Sequence, residues 1–425
     1  MTVFVLFAAL FLFFFLGVPV AYALGLSSLI ALLTMGNTSL IVIAQSMYGG
    51  MNSFTFLALP FFILAGNIMA AGGVSKRLIN FAQSMLGHIP GGLAIVAVAA
   101  SMFFAAVSGS AAATCAAVGA IMVPCMRESN YKDDFSAAVI GTAATSGIII
   151  PPSVPMIVYC ISVGAGISVG DCFVAGFIPG VLYCVALMVL AYFRCKKHHY
   201  HGTVKATSKE RWEAFKGAIL PLLMPVIILG GIYGGIFTAT EASVIAVVYG
   251  LVVSTVVLHE LKWKQLLTII RDSAMSAGGL LLLLGAANVF GVILTRERIP
   301  QLITGFFMEF IDNRFTFLLI VNILFLVLGM FMEAGPAIII LAPLLAPVAT
   351  AYGINLVHFG IIMIMNLAIG MASPPFGLSL FVITDISGCK FVRICKEMIP
   401  CFIVMIGVLM LVTYFEPLSM FLLRG

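Results

Sequence analysis

Long apolar runs dominate the chain, and the polar positions between them recur in a regular order. Residues 3–16 and 402–412 are continuous hydrophobic stretches, the pattern of helices that cross a membrane when they approach roughly 20 residues. An outer-membrane barrel would instead show short alternating segments separated by turns. Two segments differ from the rest, 74–85 with Lys76 and Arg77, and 297–308. Both mix charge with apolar residues and are too short to span, which predicts amphipathic helices lying at the interface. After each comes an apolar stretch split by small or polar residues. Residues 91–107 and 111–123 flank Ser108-Gly109-Ser110; residues 315–332 and 337–347 flank Glu333-Ala334-Gly335-Pro336. Two apolar arms around such a tip predict re-entrant hairpins, with non-helical backbone held inside protein or beside a watery cavity. A kinked hairpin between two full spans is the alternative.

The punctuation repeats. Gly147, Pro151 and Pro152 recur as Gly370, Pro374 and Pro375, and Pro124 recurs as Pro347, each 223 residues later. One ungapped register for four positions predicts a duplicated helical unit. The fold class expected is an all-α polytopic membrane protein, an inverted repeat with two re-entrant hairpins and two broken helices. Its first repeat is residues 1–193, with an arm helix at 74–87, a hairpin at 91–125 and a broken helix at 135–165. A basic cytoplasmic loop at 194–216 follows. The second repeat is 217–425, with arm helix 297–312, hairpin 315–348 and broken helix 358–385.

Composition narrows the class further. Of 425 residues, 62% are hydrophobic and 9% charged, and mean hydropathy is +1.20, which excludes a soluble globular domain or a disordered chain. The net charge of +5 concentrates in Arg194, Lys196, Lys197, Lys205, Lys209, Arg211 and Lys216, beside His198, His199 and His201. By the positive-inside rule this stretch reads as a cytoplasmic loop rather than a nucleic-acid or metal site. The nine cysteines are scattered without a C-x-x-C pair and read as small core residues. The first apolar run lacks a basic leader and reads as a retained helix. Enzyme signatures such as His-Glu-x-x-His and the Walker loop do not occur, so transport by this chain requires an ion gradient or a partner.

Proline carries no N–H, so the carbonyl four residues before it loses its helical partner. Pro151 and Pro152 are thereby expected to free the carbonyls of Gly147 and Ile148, and Pro374 and Pro375 those of Gly370 and Met371. In hydrocarbon an unpaired carbonyl costs several kcal/mol, so these oxygens call for water or a cation. With hydroxyls on the adjoining tips they form a hard-oxygen environment suited to Na⁺, in the manner of discontinuous transporter helices. The expected cation set is Ser108, Ser110, Gly147, Ile148 and Ile150 at one tip and break, and Glu333, Gly370, Met371 and Ser373 at the other. Glu333 stands alone among acidic, basic and histidine residues between Arg314 and His358 and is functional by default, whether toward a cation, a solute or a wet tip. Asn366, one turn before Gly370, fits an interhelical hydrogen bond or a solute contact. Thr238 and Glu241 form a capping box.

Two longer stretches carry a resemblance. Ala58-Leu59-Pro60-Phe61-Phe62-Ile63-Leu64-Ala65-Gly66-Asn67-Ile68-Met69 with Gly72-Gly73 and Lys76-Arg77-Leu78, and residues 230–242 (GGIYGGIFTATEA), resemble the large membrane subunit of TRAP (tripartite ATP-independent periplasmic) transporters. Ala239 stands where that family usually has proline. The proline breaks and the stretch 340–347 match as well. The resemblance implies an elevator-type, Na⁺-driven importer of organic acids in the bacterial inner membrane, related to the ion transporter superfamily. It further implies a separate small four-helix membrane subunit and a periplasmic substrate-binding protein. Family solutes are C4-dicarboxylates and sialic acid, and the hairpin Met332-Glu333-Ala334-Gly335-Pro336 lacks the Asp often seen in dicarboxylate members, which favours sialic acid. The solute is expected at Ser110, Ser146, Ser153, Glu333, Gly335 and Asn366. A stand-alone carboxylate symporter and a membrane-embedded lipid-modifying enzyme are the alternatives.

Overall fold

The structure is a computed structural model that describes the chain apart from residues 1, 36–40, 53, 165, 199, 201 and 424–425. His199 and His201 of the basic stretch lie outside the described residues. Every regular element among the described residues is a helix, the form in which a segment satisfies its own backbone in lipid. Nine of those helices are long and apolar enough to cross a membrane, and shorter apolar helices fill the bundle between them.

The first half runs α1 (Thr2–Phe15), α2 (Val20–Met35), α3 (Ile41–Met51), α4 (Ala58–Ala71), α5 (Val74–Leu86), α6 (Gly92–Ser108), α7 (Ala111–Glu128), α8 (Asp133–Ala144), α9 (Val154–Val163) and α10 (Val169–Lys197). The second runs α11 (Ser208–Tyr233), α12 (Ala239–Leu251), α13 (Trp263–Arg296), α14 (Ile299–Phe310), α15 (Arg314–Phe331), α16 (Ala334–Ala351), α17 (Leu356–Ala372), α18 (Leu378–Ser387) and α19 (Phe391–Tyr414), with the short α20 (Pro417–Met420) behind it. A shift of 223 residues lays both ends of α7 on those of α16. The same shift lays α3 and α4 along α13, which covers their length without interruption.

The two halves exchange partners. Each hairpin's outgoing arm packs on the first half of its own broken helix, α6 on α8 and α15 on α17. Each returning arm packs on the second half of the other repeat's broken helix, α7 on α18 and α16 on α9. Alongside them, α13 packs against α2, α3 and α4, and α4 also packs on α12. Buried Ala, Val, Ile and Phe form one core through these contacts, and the nine cysteines are free and buried or half-buried within it.

Both breaks follow from proline. α8 tightens into a 3₁₀ turn at Thr145–Ile148 before Pro151-Pro152, and α17 stops at Ala372 before Pro374-Pro375; both Pro-Pro bonds are cis. The basic stretch is less of a loop than its composition implies. Arg194, Lys196 and Lys197 occupy the last turn of α10, and a capping box of Thr207 and Glu210 opens α11, so residues 198–207 alone connect the helices. The physical reason is favourable end chemistry, because cations stabilise a helix C-terminus and a capping box satisfies the next N-terminus. At this basic end Arg194 pairs with Glu397 and also donates to its carbonyl, tying α10 to α19.

Candidate functional site

The first hairpin turns at Gly109, whose φ of +63° is open to glycine and strained for other residues. A Cβ at that position would lie 2.7 Å from the carbonyl oxygen of Pro152, so the tip rests directly on the first break. Ser110 then caps α7, its hydroxyl accepting from the Ala113 amide at 3.4 Å. Below the cap three oxygens converge. The Thr114 hydroxyl donates to the Ser110 carbonyl at 2.7 Å and lies 2.9 Å from the Ser108 hydroxyl. Gly147 comes against this cluster so closely that a Cβ would meet the Ser110 carbonyl, with Thr114 Oγ1 at 2.7 Å. From the opposite side α4 closes in at Gly66, where a Cβ would sit 2.9 Å from the Ser108 carbonyl oxygen.

The second hairpin is built differently. Glu333 occupies the capping position of α16 with extended backbone, and its side chain makes no capping bond. α15 and α17 approach backbone to backbone where Gly329 faces Gly370, a Cβ on Gly370 lying 2.5 Å from the Gly329 backbone. Phe331 beside the tip meets Phe376 beyond the break, ring centroids 5.9 Å apart. The repeat places Ala337 where the first half has Thr114, so no hydroxyl cluster forms here.

Between the tips lies a cavity of about 220 Å³. Ser108, Ser110, Glu333 and Gly335 line it from the tips, and Ile148 and Met371 from the two breaks. Its far wall is Asn67 of α4 and Ser276 of α13. The structure thus gathers six of the expected residues around one space. A larger cavity of about 750 Å³ lies further along α13, between its C-terminal end, α9 and α16, and none of the expected residues line it.

Several expectations are corrected. The Ile148 carbonyl is not orphaned, because the Ser153 hydroxyl donates to it at 2.6 Å; Ser153 holds the break and does not line the cavity. The Gly370 carbonyl accepts the Ser373 amide at 2.8 Å, and the Ser373 hydroxyl donates to Ile369 at 2.8 Å. These local bonds form because the chain leaving a helix at proline can fold back on its last turn. Asn366 donates to Asn322 at 2.6 Å and to the Ile362 carbonyl at 2.8 Å, so it joins α15 to α17 away from the cavity. Ser146 is buried at the break, its hydroxyl without a hydrogen-bond partner among the described residues. Ile150 donates its amide to the Ser146 carbonyl at 2.9 Å. Thr114, Asn67 and Ser276 are the site residues that sequence reasoning missed.

Hard-oxygen chemistry fits the first tip. A cradle of hydroxyl and peptide oxygens surrounds a position that only glycine leaves open. The second tip fits a cation less well, since its hydroxyl and one carbonyl are already engaged with each other's neighbours.

Residues 7–418 match the family described as tripartite ATP-independent periplasmic transporter, DctM component. The chain is 41% identical to the isethionate TRAP transporter permease protein DctMQ of Oleidesulfovibrio alaskensis, over 98% of this chain and 66% of that protein, just under two thirds of its length. It is 39% identical to the sialic acid TRAP transporter large permease protein SiaM of Vibrio cholerae, over 96% of this chain and 95% of that one. To the C4-dicarboxylate TRAP transporter large permease protein DctM of Rhodobacter capsulatus it is 37% identical, over 99% and 98%. These relatives are named as transporter permeases, not enzymes. Among solved structures, the Alcanivorax borkumensis YdaH transporter, described as having an unusual topology, aligns with a TM-score of 0.64 over 89% of this chain and 88% of that one. At 14% identity that likeness concerns the fold alone.

Proposed function

This chain belongs to the DctM component family of tripartite ATP-independent periplasmic transporters, and from that premise we propose that it is the transport subunit of a Na⁺-driven organic-acid importer. The observation that carries the reading is the cavity lined by both hairpin tips and by Ile148 and Met371 from both breaks. A solute there touches both hairpin tips and both breaks. Sialic acid is the favoured cargo and a C4-dicarboxylate the next, delivered by a periplasmic binding protein to a complex with a small membrane subunit in the bacterial inner membrane.

Ser108, Ser110 and Thr114, with the peptide oxygen of Gly147, would hold Na⁺ at the first tip. Its charge there binds tip to break and offsets the charge of the anion. The chain's own groups do the remaining work. Ser110 and the first-turn amides of α7 face the solute carboxylate, a position favoured by the helix dipole. Ser153 keeps the broken helix in register. The hairpins and broken helices, α6–α9 and α15–α18, move as one body against α4, α12 and α13, carrying the solute held between the tips across the membrane.

The test is uptake by the purified membrane complex in proteoliposomes, with the binding protein supplied outside. An inward Na⁺ gradient drives accumulation on this reading; equal uptake with K⁺ in place of Na⁺ overturns it. Uptake by the large subunit alone, without either partner, favours the stand-alone symporter instead.

A further inference from the structure

We propose that Cys160 and Cys172 are joined by a disulfide in the working transporter, a bond that staples the second half of the first broken helix to α10. Their sulfurs lie 3.1 Å apart, closer than two unbonded sulfur atoms ordinarily rest. Both are free thiols in the structure, so closing the bond asks for about 1 Å of movement. Cys160 stands one turn before the end of α9, and Cys172 one turn after the start of α10. The connection between them bends at Gly164 and Gly166, both with positive φ. Compartment favours the bond. α10 ends in Arg194, Lys196 and Lys197, cations that mark the cytoplasmic side. From Cys172 to Arg194 that one helix runs about 33 Å, roughly the thickness of the hydrocarbon core. The pair therefore sits at the periplasmic end, where disulfides form and persist.

The bond has a mechanical place. Cys172, Gly176 and Gly180 recur at successive turns on one face of α10. A Cβ on Gly176 would lie 2.9 Å from the Ile149 carbonyl oxygen, and one on Gly180 would lie 2.6 Å from the Ile150 side chain, so this face is the bed of the first break. The Met156 side chain of α9 rests on Gly176 as well. Cys172 extends the bed by one turn to Cys160, and a disulfide there fixes α9 to it covalently. Val154, Pro155 and Val158 of α9 wall the cavity between the tips, so the staple holds that wall against the break. Both cysteines are buried, 5% and 1% exposed, which assigns the exchange to membrane insertion, before α9 docks. One thiolate attacks the disulfide of a periplasmic thiol–disulfide oxidoreductase, forming a mixed disulfide and releasing one of its thiols. The second thiolate then displaces the remaining sulfur of the oxidant. The Cys160–Cys172 bond closes, and the oxidant leaves as a dithiol carrying the two electrons and two protons.

Thiol counting tests it. Cells making the complex are quenched in acid and denatured with excess N-ethylmaleimide, and the large subunit is isolated for mass analysis. All but two of the nine cysteines take the label before reduction, and all of them after it; peptides containing Cys160 and Cys172 are recovered linked. In Cys172→Ala every remaining cysteine labels without reduction. Label on all wild-type cysteines before reduction, or a link through any other cysteine, overturns the proposal. The staple is read from the unfolding temperature of the purified membrane complex. Wild type made in cells lacking periplasmic thiol oxidation unfolds about 2 °C or more below the oxidised form, whereas Cys172→Ala unfolds alike from both hosts. Equal unfolding temperatures for oxidised and reduced wild type also overturn the proposal, because the bond then holds nothing. Neither readout involves Na⁺ or solute, so failure here leaves the transport reading standing.

Discussion

Gly147→Ala tests the oxygen cradle with a single methyl group. Gly147 lies in a helix-like 3₁₀ turn, so alanine meets no backbone penalty there and the perturbation is purely steric. The added Cβ would find the Ser110 carbonyl carbon and Thr114 Oγ1 both at 2.7 Å, where ordinary contact begins at 3.4 Å. The Ser110 carbonyl oxygen is closer still, so tip and break must part by more than about 0.7 Å, and both belong to the packed interior, so the strain is about 1–3 kcal/mol. A displacement of that size also spoils an ion site built from fixed oxygens. By the sensitivity of positioned groups to ångström shifts, the Na⁺ concentration for half-maximal uptake rises about tenfold or more. Gly278→Ala is the matched control, because a Cβ there meets nothing within 4 Å; it gains helix propensity and keeps wild-type Na⁺ dependence. The assay is initial uptake against external Na⁺ in proteoliposomes, with unfolding temperature measured on the same preparations. If Gly147→Ala retains the wild-type Na⁺ dependence, the cradle is not the ion site and the reasoning fails.

Three further outcomes are expected. Thr114→Val removes the hydroxyl joining Ser108 to Ser110 while keeping the volume; it costs about 1 kcal/mol of stability and weakens Na⁺ dependence severalfold, which uptake titrations will register. Asn366→Ala leaves Asn322 short of a donor in a buried setting and lowers stability by about 1–3 kcal/mol, seen as earlier thermal unfolding with the solute KM unchanged; a raised KM at normal stability would restore Asn366 to the solute site. Arg194→Ala removes the tie from α10 to Glu397 and the cation packed 5.0 Å above the Phe135 ring. It lowers stability by about 1.5–3 kcal/mol without changing which solute is carried, checked by unfolding temperature and competition uptake.

Much of this architecture is written in local signals. Apolar runs specify helices because lipid leaves the backbone no other partner, and proline pairs specify where those helices break. The register from Gly147 to Gly370 extends to whole elements, down to the matching ends of α7 and α16. Residues whose role depends on convergence left no such trace. Thr114 sits in a regular helix, three residues past its first turn's start, and only the approach of Gly147 makes its hydroxyl part of a cluster. Asn67 lies inside the most recognisable motif of the chain, yet nothing in that motif says it faces a cavity shared with Ser276 of α13. Asn366 misled because an amide in an apolar helix looks the same whether it grips a neighbouring helix or a solute. The carbonyls at the breaks find partners that the proline spacing does not disclose. Proline removes one donor, but Ser153 and the Ser373 amide supply others from the chain just beyond.

The central claim is that Na⁺ and an organic anion close one cavity between the two tips. Equilibrium binding of the solute to the purified membrane complex, measured across Na⁺ concentrations at constant ionic strength, tests it most directly. Because two ligands that stabilise the same closed arrangement strengthen each other reciprocally, solute affinity should climb at least about fivefold from K⁺ to saturating Na⁺, and Gly147→Ala should flatten that rise. Identical solute affinity in Na⁺ and in K⁺ would contradict the account.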